Sequence, residues 1–124
     1  MTIEEIQKNT SFLFLCKDAY FKKIRPADSE SRLSEEYKSL VEIGKIYFDN
    51  NLVENFGMYL KESQYRIQLW TAHLILEYGN PNNNLRQQCI DEIIKYTNNP
   101  LAREIENEEK LWLNNYYENQ TKND

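Results

Sequence analysis

An all-α fold of about six antiparallel helices, stacked as helical hairpins, is what this sequence predicts, and three observations predict it. Its 124 residues include only three glycines and three prolines, too few breakers for the many turns of a sheet protein. Apolar side chains recur at alternating spacings of three and four over most of the chain. No stretch alternates apolar and polar residues for the length of a strand, and no Asn-Gly or Asp-Gly hairpin turn occurs.

The first helix is expected from Thr2-Ile3-Glu4-Glu5, which reads as a capping box. Ile3, Ile6, Thr10, Leu13, Lys17 and Tyr20 hold the helical spacing, and Phe14, Cys16 and Phe21 widen the stripe. The poor helix formers Asn9, Thr10 and Ser11 leave a break in its middle open. Lys22-Lys23-Ile24-Arg25 complements the negative end of the helix dipole, and Pro26 disfavours helical geometry at Arg25, so this helix ends near residue 24.

Asp28, Ser29 and Ser31 are possible caps for a second helix with Leu33, Tyr37, Leu40, Gly44 and Tyr47 inward, running to about Phe48. After an Asp49-Asn50-Asn51 turn, a third helix carries Leu52, Val53, Phe56, Tyr59 and Leu60. Gly57 either weakens it or admits a close neighbour. The fourth helix, around Ile67, Trp70, Leu74 and Tyr78, is apolar nearly all round and belongs at the centre, with Gly79 as its C-terminal cap. A fifth spans about 84 to 97, burying Leu85, Cys89, Ile90, Ile93, Ile94 and Tyr96. A sixth starts after Pro100 with Leu101, Ile105, Leu111, Trp112 and Tyr116. The chain is one domain, 1–124: an N-terminal hairpin (1–50), two further hairpins (51–118) and a frayed polar tail (119–124).

Reactive groups are scarce. His73 is the sole histidine, position 77 four residues on is Glu, and a catalytic zinc needs about three protein ligands, so no metal site is expected. Cys16 and Cys89 fall on apolar helical faces without CxxC spacing, which suits reduced thiols in a cytoplasmic protein, and burial raises a thiol's pKa. Adjacent pairs such as Glu35-Glu36 and Glu108-Glu109 diverge by about 100 degrees on a helix and cannot share a substrate bond. The three glycines are scattered, so no phosphate loop and no cofactor are expected. His73 therefore reads as structural and the protein as no enzyme. The longest apolar run, Phe12 to Cys16, is too short to cross a bilayer.

The net charge of −5 disfavours direct binding of nucleic acid or anionic membrane and favours a basic partner. The sixth helix gathers Glu104, Glu106, Glu108 and Glu109 with Trp112, Tyr116 and Tyr117, more than one helical face can bury. These seven residues are the expected partner-binding surface, with aromatics as anchors and acids for steering. The plain alternative is that Trp112 and Tyr116 are core and the glutamates are solvated.

The order of residues from Leu60 through Arg66, Leu69, Ala72, Leu76 and Ile90 to Leu111-Trp112 resembles small bacterial HEAT-like helical domains over roughly residues 52 to 113. Thr71 stands in place of the first small residue of an Ala pair, and Trp70 is bulkier than its counterpart. The resemblance implies stacked helical hairpins. In size and charge the chain is also similar to immunity proteins of bacterial toxin systems, including those of contact-dependent inhibition. That implies a protein which neutralises a toxin, a nuclease being one candidate, by covering its basic cleft. The alternative is a structural or adaptor helical-repeat domain that scaffolds other proteins or self-associates, as a homodimer, through the first helix with its apolar Phe12 to Cys16 segment.

Overall fold

The computed structural model describes residues 4, 11–100 and 102–122, which form six α-helices joined by 3-10 and π-helical turns, with no strand among them. The helices are α1 (Ser11–Phe21), α2 (Glu35–Asp49), α3 (Val53–Phe56), α4 (Ile67–Leu74), α5 (Asn83–Tyr96) and α6 (Arg103–Lys122). Thr2, Ile3 and Glu5 of the capping box, the residues expected to break the first helix before Ser11, and Leu101 lie outside the described residues.

Helix α4 is the core, as its uniform apolarity predicts. Seven of its eight residues are buried, and it packs on α1, on α5 and on the 3-10 segment Gly57–Lys61. Thr71, fully buried, satisfies its hydroxyl by donating to the Ile67 carbonyl at 2.7 Å. Around α4 sits an aromatic cluster in which Phe12 lies 4.7 Å from Phe56 and 4.9 Å from Tyr59 between ring centroids. Trp70 is 1 % exposed against Tyr37.

Several local expectations are corrected. Helix α2 is capped by Ser34, whose hydroxyl accepts from the Tyr37 amide, while Asp28 caps the preceding turn by accepting from Ser31. That one-turn shift leaves Leu33 exposed instead of inward. The third helix is a single α-turn followed by a 3-10 turn, and Gly57 is there for space: a Cβ would stand 3.0 Å from Leu85 Cδ1. At the end of the fourth helix Asn80, not Gly79, takes the left-handed conformation, after a π-helical turn Ile75–Gly79. Helix α5 is capped by Asn82, and Ile94 points outward. On α6 the inward leucine is Leu113, with Leu111 exposed, and the helix continues through four of the six expected tail residues to Lys122.

The apolar segment expected to mediate self-association is divided between core and surface. Phe12 and Cys16 are fully buried, whereas Phe14 is exposed. Both cysteines are free and buried; desolvation pushes the Cys16 thiol well up and that of Cys89 up to about 12. No helix among the described residues is long and apolar enough to cross a membrane.

Candidate functional site

Helix α6 presents its inner face at positions 105, 109, 112, 113 and 116, and one of these is a carboxylate. Glu109 is 0 % exposed, and its Oε1 lies 2.6 Å from Nε2 of His73, itself 1 % exposed on α4. The His73 ring meets Trp112 edge-on at 4.3 Å, and Trp112 stacks on Tyr116 at 5.3 Å. On the other side of the ring, Nδ1 is 3.4 Å from Glu77 Oε2, a charge contact outside hydrogen-bonding geometry. Arg32 grips Glu77 with both guanidinium nitrogens, at 2.7 and 2.8 Å.

The result is a line of alternating charge, Arg32, Glu77, His73, Glu109, that ties the turn before α2 to α4 and α6. It is neutral when His73 carries a proton. Burial opposes that proton, but the fields of Glu109 and Glu77 outweigh burial and hold the imidazole above its ordinary pKa. Glu77 goes the other way: desolvation pushes its carboxyl up, and the His73 and Arg32 partners more than reverse this, leaving it below the usual range. Sequence reasoning puts His73 on the core helix but gives it no partner. A signal was available in the unbroken three-four spacing of Ile105, Glu109, Trp112 and Tyr116, which places one acid on an apolar stripe facing a helix with one histidine.

The seven residues expected to form a binding surface are therefore divided by the fold. Glu109 is core, a correction forced by its pairing with His73. Trp112 is half-buried against His73, and Tyr116 is half-buried where it stacks on Trp112. Glu108 is bound by Arg25 through two contacts of 2.8 and 3.0 Å, and Glu106 by Lys110 at 3.0 Å. Glu104 and Tyr117 are exposed. The outer face of α6 is a different set: Glu104, Asn107, Leu111, Asn114 and Glu118, spaced three and four apart and all exposed, with Leu111 63 % exposed at its middle.

Among the described residues no group of three or more His, Cys, Asp or Glu side chains is placed to hold a metal ion. Set against protein-family models, curated proteins and solved structures, the chain matches none.

Proposed function

We propose that the protein acts by binding another protein and not by catalysis, as an immunity protein covering the basic cleft of a bacterial toxin domain. The observation that carries the binding reading is the outer stripe of α6, where an exposed leucine is flanked by Asn107 and Asn114 and then by Glu104 and Glu118. An apolar centre with an acidic rim suits a basic partner, for which the net charge of −5 adds steering. Sequestration of His73, the one side chain that ordinarily titrates near neutrality, supports the non-catalytic part. The toxin class rests on the resemblance of residues 52 to 113 and on size and charge.

The test is titration against a panel of basic toxin domains, nucleases included, at two salt concentrations. We expect one partner with a dissociation constant below about 1 μM that weakens as salt rises. Leu111→Asp and Glu118→Lys should each weaken it about tenfold or more without lowering the unfolding midpoint. A panel without a binder, or binding indifferent to salt and to both substitutions, would refute the assignment.

A further inference from the structure

A second surface has the opposite charge. Where α1 ends, its last residues, the turn before α4 and the first turn of α6 enclose a cleft of about 630 Å³. Its floor includes Ile105, and its lining carries four cationic side chains, Lys23, Arg25, Arg66 and Arg103, against one carboxylate, Glu104. Arg25 is taken up by Glu108. The other three cations form no ion pair with any described residue. Two aromatic rings share the cleft: Tyr20 is 40 % and Phe21 66 % exposed, standing edge to face at 5.4 Å. The Arg66 guanidinium lies 4.9 Å from the centre of the Tyr20 ring, which holds this cation at the cleft.

The backbone agrees with a built feature. Lys23, Tyr65 and Arg66 all adopt positive φ, at 60°, 53° and 57°, conformations that non-glycine residues with bulky side chains rarely take. Two consecutive residues of this kind, Tyr65 and Arg66, turn the chain sharply just before α4. This protein is acidic overall, yet it gathers three cations without an ion pair among the described residues, and two partly exposed rings, in one concavity.

We infer that this cleft binds a small ligand joining an anionic group to a flat ring, of the nucleoside monophosphate type. Guanidinium groups recognise a phosphate by charge and by paired N–H donors. Tyr65 packs on both rings, at 5.6 Å from Tyr20 and 5.8 Å from Phe21, and Arg66 covers Tyr20. The more exposed Phe21 is therefore the ring that offers a surface to a base, which stacks without needing a glycine-rich loop. The volume lies within the range of small-ligand clefts, about 300 to 1,000 Å³. Net charge does not forbid this, because charges beyond about 8 Å are largely screened at physiological salt and the lining sets the local field. It does select against an extended polyanion, which would run out of the cleft onto acidic surface.

The test is calorimetric titration of the full chain with AMP, adenosine, inorganic phosphate and a short oligothymidylate. AMP should bind with a dissociation constant on the order of 0.1–1 mM, and adenosine and phosphate each about tenfold or more weaker. Arg66→Ala and Arg103→Ala should each weaken AMP about tenfold, with the unfolding midpoint held as a check on folding, and Phe21→Ala should weaken AMP but not phosphate. No binding of AMP at about 5 mM, AMP binding unchanged in both arginine variants, or an oligothymidylate that binds tighter than AMP would each overturn the inference. The toxin-binding reading stands or falls separately, since neither Leu111 nor Glu118 lines this cleft.

Discussion

Glu109 has two carboxylate oxygens and one hydrogen-bonded partner: Oε1 meets His73, while Oε2 and His73 Nδ1 have no hydrogen bond. A buried pair in this state is costly to break and not especially stabilising to possess, because desolvation offsets most of the attraction. Removing one member leaves an uncompensated polar group inside the protein. Glu109→Leu and His73→Leu should therefore each lower the unfolding free energy by about 3–5 kcal/mol, and the double replacement by less than either alone. Denaturant titration of the four proteins completes the cycle, and losses that simply add would show that the two side chains do not depend on each other. The same residues explain what sequence could and could not reveal about the site. That His73 lies in the core is legible from its place on a helix that is apolar nearly all round. That Glu109 is buried is not legible from acidity, since charge on a helix ordinarily means a solvated face.

Helix α5, expected over about 84 to 97 and found at Asn83–Tyr96, is legible almost to the residue because its apolar spacing is unbroken and Asn-rich turns delimit it. Helix α4 is legible in its place at the core but not in its last turn, which is π-helical. The stretch from Val53 to Lys61 is not legible, because Leu85 must approach the backbone at Gly57 and the segment tightens into a 3-10 turn instead of continuing as helix. On α6 the three-four spacing through Ile105 and Glu109 reaches Leu113, four residues after Glu109, and sets Leu111 on the opposite side with Asn107 and Asn114; an inward Leu111 departs from that spacing by two residues. Space also distinguishes the glycines. At Gly79 a Cβ would stand 3.2 Å from Val53 and 3.3 Å from two atoms of the Phe48 ring, which is buttressed by Phe56. At Gly44, within α2, the nearest atoms are at 3.4 and 3.6 Å, ordinary contact. Gly79→Ala should cost about 1–3 kcal/mol by overpacking, whereas Gly44→Ala should stabilise by about 0.5–1 kcal/mol through helix propensity. Thermal melts of the two variants check this, and shifts of the same sign would contradict the packing argument.

The line from Arg32 to Glu109 links the turn before α2 to α4 and α6, so its protonation should appear in global stability. The folded pKa of His73 is raised, so its contribution is complete below the unfolded value of about 6.5, declines as pH rises above it, and is gone once the folded pKa is passed. The folded pKa of Glu77 is lowered, so its contribution is present above the unfolded value of about 4.5 and is lost as pH falls through the folded one. The two leave a plateau of greatest stability at mildly acid pH, from about 4.5 to 6.5, with losses on both sides. On the alkaline side the decline is at most about 1.4 kcal/mol per pH unit, the limit for one proton. His73→Gln can still bond Glu109 but cannot titrate. It should be less stable throughout and should lack the decline above pH ~6.5 that the parent shows. Unfolding midpoints from pH 4 to 9 for both proteins measure this directly. Parallel curves above neutrality would mean that His73 does not carry the proton that makes the line neutral, and that its bond to Glu109 is that of a neutral imidazole N–H.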